Sequence, residues 1–456
     1  MIVMKFGGTS VQDAAAISRV IDIVKSRERE RPFVVVSAMS KVTDTLLGMA
    51  AAAGEGDATK ALATCRALRE RHYSTAADLL RTGLFTELHA DLGGEFDALE
   101  ELLRGIVAVG EITARTTDAV VSYGERLSSK IVAAAFQQNG VNSLLVDARD
   151  ILITDNQHQK AIPQFDEIEV RLRNHVQPKL AKSVPVMGGF IGATRDRIPT
   201  TIGRGGSDFS AAIVGAALDA TKIEIWTDVD GMKTTDPRLC ADAHRIKVIS
   251  FEEAAELAYF GAKVLHPATL LPAVQKNIPV LVLNSFNPSN EGTTIVARAP
   301  QCRNPIKAIA AKKRITIVDV VATRMLGAHG YLRSIFEVFD RNRAPVDVVS
   351  TSEVSVSLTV DSNERIPRIA EELAQMADVK YEGRKAIVCL VGENIRGQSG
   401  IAARIFTAIS DINVRMISQG ASEINITFVI EEDDVPETVR RLHDCFFQDL
   451  DPEVFE

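Results

Sequence analysis

The chain has 456 residues, a formal net charge of −8 and a pI near 5.7. This length predicts about two to four domains, and the acidity argues against nucleic-acid binding as the main role, which needs a clustered basic face. No apolar run approaches the ~20 residues that span a bilayer, and the five scattered cysteines lack a CxxC pair, so neither a zinc site nor a disulfide framework is indicated. Met1 is followed at once by a strand-like segment, so we expect no signal peptide. The cysteine pattern fits a reducing cytoplasm.

A possible phosphate site follows the first predicted strand, Ile2–Phe6. Gly7-Gly8 can adopt backbone angles closed to other residues, which lets main-chain N–H groups approach an anion. Ser10 is predicted to cap a helix over residues 14–24, whose N-terminus would add positive potential. The alternative is an ordinary strand–turn–helix with a solvated Lys5.

The next segments predict an α/β sheet covered by helices. A strand over 34–40 ends in small and hydroxylic residues, and strand ends of this kind build sites in open α/β sheets. Residues 44–115 are alanine-rich with leucines at helical spacing, which predicts several helices with a break near Gly93-Gly94. Further strands over 141–146 and 184–192 alternate with helices, so we expect a mostly parallel sheet.

Two polar segments of this region are candidates for substrate binding. Glu125 precedes a helix predicted over 127–138 and could bind a substrate amine, or could merely favour the helix start. The sequence GRGGSD at 203–208 combines glycines with Arg204 and Asp208 ahead of another helix. Arg204 offers a fork for a carboxylate or phosphate, while a Gly-rich turn with a capping Asp is the structural alternative.

A nucleotide could bind after the predicted strand 223–227. This strand ends in Thr227 and Asp228, and the following turn brings Lys233 and Arg238 within reach of phosphates. A second basic residue beside a glycine, Lys263, follows an acid-rich helix.

The pattern changes from about residue 307 onwards. Strand-like runs at 315–321 and 354–360 flank a helix over 331–341, and the same order recurs at 386–391, 401–410 and 423–430. A glycine precedes the helix in both repeats, at Gly330 and Gly400. A β-α-β repeat of about 70 residues predicts two small ferredoxin-like modules.

Motifs from these segments closely resemble those of aspartate kinases, in the same order and over essentially the whole chain: KFGGTSV at 5–11, GRGGSD at 203–208, TDVDG and TTDPR within 227–238, GAKVLHP at 261–267, and STSEVSVSLTVD at 350–361. The resemblance implies an α/β amino-acid-kinase-like catalytic domain with a mostly parallel central sheet covered by helices, over 1–300. Two ferredoxin-like α+β ACT domains follow, over 313–380 and 381–456, and the strand 306–311 often joins the second ACT sheet in this family. It also implies a monofunctional enzyme, since no homoserine dehydrogenase part is expected after the second ACT repeat. The helical stretch 44–115 resembles the longer catalytic domain of the lysine-sensitive type.

The reaction implied by the resemblance is transfer of the γ-phosphoryl group of ATP, with Mg²⁺, to the side-chain carboxylate of L-aspartate. This is the entry step to lysine, methionine and threonine. The family pattern assigns catalysis to Lys5 and Asp208, and substrate binding to Ser37, Thr43, Glu125, Arg204 and Ser207. It assigns the nucleotide to Lys5, Gly7, Gly8, Thr227, Asp228, Lys233, Arg238 and Lys263. This chain has Lys233 where many relatives carry an aromatic residue.

The resemblance further implies feedback inhibition by an amino acid, with lysine as the expected effector, and at least a homodimer through the ACT domains, which can pair into a tetramer. The expected effector residues are Met325, Gly330, Tyr331, Leu332, Asp347, Ser350, Thr351, Ser352 and Glu353. Two alternatives are a glutamate or acetylglutamate kinase of the same fold and a non-catalytic ACT amino-acid sensor. The tandem ACT repeat argues against the first, and the charged set Lys5, Glu125, Arg204 and Asp208 argues against the second.

Overall fold

The computed structural model describes residues 1–261, 267–322 and 329–456, with only the backbone described at 267 and 268. The chain forms two compact units. The first comprises Met1–Met232, Val248–Phe251 and Val264–Ala299, and the second comprises Lys233–Lys247, Glu252–Lys263 and Pro300–Glu456. None of the described helices has both the length and the apolar character needed to cross a membrane.

The first unit is built on an eight-stranded sheet of order β3-β4-β2-β1-β7-β9-β10-β8, of which the first six strands are parallel. The strands up to residue 296 are β1 Ile2–Phe6, β2 Pro32–Val36, β3 Ser143–Val146, β4 Val184–Gly188, β5 Ile191–Ala193, β6 Pro199–Thr201, β7 Ile223–Thr227, β8 Val248–Ser250, β9 Val280–Asn284 and β10 Thr293–Val296. Strands β5 and β6 form a separate antiparallel hairpin. Every residue of β1, β2 and β4 is buried, as expected for parallel strands covered on both faces.

Helices surround this sheet and supply its apolar cover. They are α1 Ala14–Ser26, α2 Val42–Gly54, α3 Ala58–Leu79, α4 Thr82–Val109, α5 Ala114–Val121, α6 Tyr123–Gln138, α7 Ala148–Ile151, α8 Phe165–His175, α9 Gly206–Ala217 and α11 Leu271–Gln275. Helix α10, Phe251–Phe260, belongs to the second unit from Glu252 onwards. The mostly parallel sheet predicted from the alternation of strands and helices is confirmed.

Three local predictions in this unit were wrong. Ser10 does not cap α1: Asp13 does, accepting a hydrogen bond from Ala16 N, while the Ser10 hydroxyl contacts Ser285 Oγ at 2.8 Å inside the core. Helix α4 is continuous through Gly93-Gly94, because its buried leucines and Phe96 hold it against the neighbouring helices. Helix α6 begins at Tyr123, so Glu125 lies in its first turn and not ahead of it.

The second unit carries a six-stranded sheet of order β12-β13-β11-β14-β16-β15, whose neighbours all pair antiparallel. Its elements from residue 308 are β11 Ala308–Val321, α12 Tyr331–Arg341, β12 Val346–Thr351, β13 Ser355–Asp361, α13 Ile366–Ala374, β14 Asp378–Val391, α14 Ile401–Ala408, β15 Met416–Gln419, β16 Asn425–Glu431 and α15 Val435–Phe446. Gly330 and Gly400 precede α12 and α14 with φ of +80° and +85°, a conformation that glycine adopts without strain. The two predicted β-α-β repeats therefore begin their helices in the same way.

The two central strands are longer than the sequence pattern indicates. Strand β11 runs unbroken from Ala308 to Val321 and pairs with β14 over both of its ends. Its segment 308–312 lies opposite 387–391, whereas its segment 315–321 lies between β13 and the 378–385 part of β14. The two repeats thus share one continuous sheet.

Candidate active site

Loops that carry the predicted site residues converge at the carboxyl ends of four neighbouring parallel strands, β4, β2, β1 and β7. The backbone ties them together: Ser40 N donates to Gly8 O at 3.0 Å, and Gly189 N donates to Val36 O at 2.9 Å. In an open α/β sheet this edge is where ligands bind. Residues distant in sequence are thereby brought to one place.

The catalytic pair predicted from the sequence is in direct contact. Lys5 Nζ lies 2.7 Å from Asp208 Oδ1, and both side chains are 11% exposed. Lys5 is fixed in β1, and Asp208 lies in the first turn of α9, after glycines at φ +84° and +72°. The pair places a buried cation next to the loop that follows β1, with its charge balanced by a carboxylate.

The two glycines after β1 serve different purposes. Two amides, those of Gly7 and Gly8, were predicted to face a phosphate. Gly7 N already donates to Trp226 O at 2.9 Å, so its N–H is engaged within the protein. Phosphate binding by the Gly8 N–H stays a prediction. A side chain at Gly8 would bring its Cβ to 3.0 Å from Ala38 O. Glycine at this position lets the β1 and β2 loops pack against each other.

Glu125 is a buried carboxylate with one oxygen that has no hydrogen-bond partner among the described residues. It is 3% exposed, and its Oε1 accepts a hydrogen bond from Ala38 N at 3.1 Å. No described residue hydrogen-bonds its buried Oε2. Burial raises the pKa of Glu125 to about 8, against the opposing effects of hydrogen bonds from backbone N–H groups and of the Lys5 charge. A cationic ligand would relieve this cost of burial.

Gly188 and Gly189 at the end of β4 were not assigned a role from the sequence, although the doublet is a visible signal. A Cβ at Gly188 would come within 2.9 Å of Glu125 Cβ and O, and one at Gly189 within 2.8 Å of Ser207 Cα. Such distances are below those real Cβ atoms show. The doublet therefore allows α6 and α9 to approach the same strand end.

The remaining predicted substrate residues lie around the same edge of the sheet. Ser37 follows β2 and donates its N–H to Phe6 O, while its carbonyl accepts from Ser128 Oγ. Ser207 and Thr43 lie in the first turns of α9 and α2. Arg204 is exposed, and its guanidinium has no hydrogen-bond or ion-pair partner among the described residues.

Arg71 is a site-supporting residue that the sequence did not single out. From α3 its guanidinium donates to Ser40 O at 2.9 Å and to Gln12 O at 3.1 Å. It therefore ties the loops after β1 and β2 together. No motif marks it, since an arginine on a long helix is usually solvated.

The predicted nucleotide residues divide between the two units. In the first, Thr227 ends β7 and donates its hydroxyl to Asp228 Oδ1 at 3.2 Å. In the second, Lys233 is partly buried and Arg238 is 88% exposed, paired through its guanidinium with Asp236 at 2.7 Å. Lys263 lies outside the described residues.

The predicted effector residues lie in the second unit around the edge strand β12. Asp347 is its key acidic residue, and the side chain is only 3% exposed. Its Oδ1 accepts from the Tyr259 hydroxyl at 2.7 Å and its Oδ2 from Lys312 Nζ at 2.8 Å. The carboxylate expected to receive an effector ammonium thus already holds the protein's own ammonium group.

The other predicted effector residues lie along the same strand and at the start of α12. Ser350, Thr351, Ser352 and Glu353 are exposed, as are Gly330 and Leu332, while Tyr331 donates its hydroxyl to Met376 O at 3.0 Å. Met325 lies outside the described residues.

Comparisons with known proteins match both parts of the chain. The model of the amino acid kinase family matches residues 1–284, and an ACT domain model matches residues 388–446. Aspartokinase 3 of Arabidopsis thaliana chloroplasts is 37% identical over 98% of this chain and 81% of its own length. The lysine-sensitive aspartokinase 3 of Escherichia coli is 34% identical over 98% of this chain and 99% of its own.

Solved structures of an aspartokinase also match this chain. Aspartokinase III of E. coli, in complex with aspartate and ADP in an R-state, aligns with a TM-score of 0.85 and 33% identity. The match covers 98% of this chain and 100% of that one. The same enzyme in complex with lysine and aspartate, in a T-state, also aligns with a TM-score of 0.85 and 33% identity over the same shares.

Proposed function

The chain belongs to the aspartokinase family, and from this premise we propose how its residues transfer the γ-phosphoryl group of ATP to L-aspartate. The products are ADP and 4-phospho-L-aspartate, which opens the synthesis of lysine, methionine and threonine. The observation that carries the assignment of residues is the buried Glu125 at the same sheet edge as the Lys5–Asp208 pair, with one oxygen that no described residue hydrogen-bonds.

The acceptor needs no catalytic base. An aspartate side chain has a pKa of about 4 and is ionised at neutral pH. The enzyme must instead align two anions that repel each other and stabilise charge on the moving phosphoryl group. Lys5 supplies that charge, and Asp208 holds the Lys5 ammonium in place.

The acceptor is held by its α-carbon substituents. Arg204 binds the α-carboxylate through its guanidinium fork, and Glu125 binds the α-ammonium. Ser37, Thr43 and Ser207 provide hydroxyl contacts. The exposed guanidinium of Arg204 and the buried Oε2 of Glu125, neither of which has a partner in the described part of the chain, support these roles.

In the first unit the nucleotide is bound by Lys5, Gly8, Thr227 and Asp228, and Gly7, whose N–H donates to Trp226 O, holds the loop after β1 against β7. Lys233, Arg238 and Lys263 keep the nucleotide-binding role that the family resemblance gives them. Mg²⁺ usually keeps several waters and binds substrate phosphates plus one or two carboxylates. Asp208 fits that pattern, because it offers one carboxylate at the sheet edge beside Lys5. When bound, the ion would neutralise phosphate charge.

Parallel acceptor assays test the reaction. ATP-dependent hydroxamate formation is measured with aspartate, glutamate and acetylglutamate at equal concentration. We expect product with aspartate only. Product with glutamate or acetylglutamate alone would favour another carboxylate kinase of this fold, and none with any acceptor would favour an amino-acid sensor.

Lysine is the effector, acting at the ACT sheet through the residues around Asp347 and α12. Inhibition requires that lysine bind an inactive arrangement better than the active one. The division into a catalytic domain over 1–300 and ACT domains over 313–380 and 381–456 is part of this proposal, as are the homodimer through the ACT domains and its pairing into a tetramer. A cytoplasmic location also remains a prediction.

A further inference from the structure

Asp118 is a buried carboxylate to which neither the family pattern nor the mechanism above gives a role. It lies in α5 and is fully inaccessible to solvent. Its Oδ2 accepts from His158 Nδ1 at 2.8 Å and from Gln159 N at 3.0 Å, and its Oδ1 accepts from Thr201 Oγ1 at 2.6 Å. One side chain thus joins three chain segments of the first unit.

Two of these segments form the base of the loop that carries Arg204. Thr201 ends β6, three residues before Arg204, and its carbonyl accepts from Ala161 N at 3.0 Å. Gly203 has a φ of +84°, and a Cβ there would lie 3.4 Å from Gln159 O. Because the Arg204 guanidinium has no partner of its own in the described part of the chain, this backbone packing is what fixes the position of the residue in its loop.

The third segment leads to Glu125. Helix α5 ends at Val121 and α6 begins at Tyr123, and Ser122 N donates to Asp118 O at 3.0 Å across the junction. Asp118 therefore lies between the helix that carries Glu125 and the loop that carries Arg204.

We propose that Asp118 is a positioning residue for L-aspartate, which fixes the spacing between Glu125 and Arg204. The inference rests on the proposed roles of those two residues. The α-ammonium and α-carboxylate of an amino acid are attached to one carbon, so the groups that bind them must keep a fixed distance. If only its own backbone held the loop, Arg204 would change its distance from Glu125. Such a change weakens binding of the acceptor more than binding of ATP.

A double-mutant cycle with Arg204 tests this inference. We expect Asp118→Asn to raise the aspartate KM by about tenfold, with the ATP KM unchanged and kcat within about twofold of the wild type. In an Arg204→Ala background the same change should raise the aspartate KM by less than about twofold, since no guanidinium remains to be positioned. Equal increases in both backgrounds would overturn the inference.

Two further variants separate positioning from loss of fold. Thr201→Val keeps a β-branched side chain but removes one of the three hydrogen bonds, and should raise the aspartate KM by about threefold. Ser143→Ala removes a buried hydrogen bond to Ala133 O, which lies beyond Glu125 in the later part of α6 and far from the α5–α6 junction, and should lower the melting temperature without changing the aspartate KM. A KM increase in Ser143→Ala like that of Asp118→Asn would contradict the inference.

The same variants distinguish a failure of the substrate-binding role of Arg204 from a failure of the inference about Asp118. If Arg204→Ala alone leaves the aspartate KM unchanged, the role of Arg204 is removed and the inference about Asp118 falls with it. If Arg204→Ala weakens aspartate binding strongly but the cycle is additive, only the inference about Asp118 is overturned.

Discussion

Glu125 and Asp347 are both buried carboxylates, yet their surroundings differ in a way that bears on function. Glu125 keeps one oxygen without a partner in the described residues, whereas Asp347 accepts from a tyrosine hydroxyl and a lysine ammonium. An unpaired buried charge is costly, so a group of the first kind is prepared for a ligand cation. A group of the second kind already has a cation beside it, and a ligand ammonium would compete with that cation.

The raised pKa of Glu125 predicts a pH dependence of aspartate binding. With a pKa of about 8, free Glu125 is largely protonated at pH 7, and the substrate ammonium binds its ionised form. The aspartate KM should therefore fall as pH rises from about 6 to about 8, by up to about tenfold per unit. Steady-state kinetics across this range, with ATP saturating, measure the effect.

Glu125→Gln is the matched control. It cannot ionise, so its aspartate KM should be high and nearly independent of pH over the same range. A wild-type KM that stays flat, or that rises with pH, would contradict the role given to Glu125. For folding the sign is opposite: a carboxyl whose folded pKa is raised from 4.5 to about 8 loses its contribution to stability as pH rises through that interval.

Lys312 pairs with Asp347, the carboxylate that a lysine effector is expected to bind. If the effector ammonium binds Asp347, it competes with Lys312 Nζ for this carboxylate. Lys312→Met should therefore lower the lysine concentration for half-inhibition, by about fivefold or more. Inhibition curves at fixed aspartate and ATP measure this change.

Lys312→Arg keeps a cation on Asp347 and serves as the control, with a half-inhibitory lysine concentration within about twofold of the wild type. A higher or unchanged concentration in Lys312→Met would show that the two ammonium groups do not compete. Activity without lysine is recorded for each variant, so that a change in the uninhibited enzyme is not mistaken for a change in affinity.

At the scale of whole elements, two glycine pairs look alike in sequence and act differently. Gly93-Gly94 lies inside α4, where a Cβ at Gly94 would meet nothing within 4 Å. Gly188-Gly189 ends β4, where a Cβ at Gly189 would meet Ser207 Cα at 2.8 Å and Val35 Cγ1 at 2.9 Å. Only the second pair is required by packing, and it is the pair at the sheet edge.

Alanine substitutions should separate the two pairs. Gly94→Ala should raise the free energy of unfolding by about 0.5–1 kcal/mol with unchanged kinetics, because alanine favours the helix and the space is open. Gly189→Ala should lower it by about 1–3 kcal/mol and raise the aspartate KM, because Ser207 and α9 must move. Denaturant unfolding and kinetics of both variants are the measurement, and equal behaviour of the two would contradict this distinction.

For the molecule as a whole, elements encoded by residues close together in the sequence could be predicted. Contacts between residues far apart in the sequence could not. The strand Ile2–Phe6, the helix Tyr331–Arg341 and the glycine before it follow from short patterns. The contacts of Asp118 with Thr201 and of Asp347 with Tyr259 join residues 83 and 88 positions apart. Such pairs depend on which elements lie side by side, and no spacing in the sequence reports that.

The shared strands of the second sheet predict that the two ACT repeats unfold together. Leu358 is fully buried in β13, and β11 lies directly between β13 and β14, which in turn pairs with β16. Leu358→Ala should cost about 2–5 kcal/mol and speed amide exchange in β16 as well as in β13, because losing β13 exposes one side of the strand that both repeats share. Hydrogen exchange followed by mass spectrometry on the intact chain measures both segments at once.

Leu99→Ala, an equal deletion in the buried face of α4, is the control and should leave exchange in β16 unchanged. Faster exchange confined to β13 would show instead that each repeat unfolds by itself, and that a ligand bound beside β12 stabilises only its own half of the sheet.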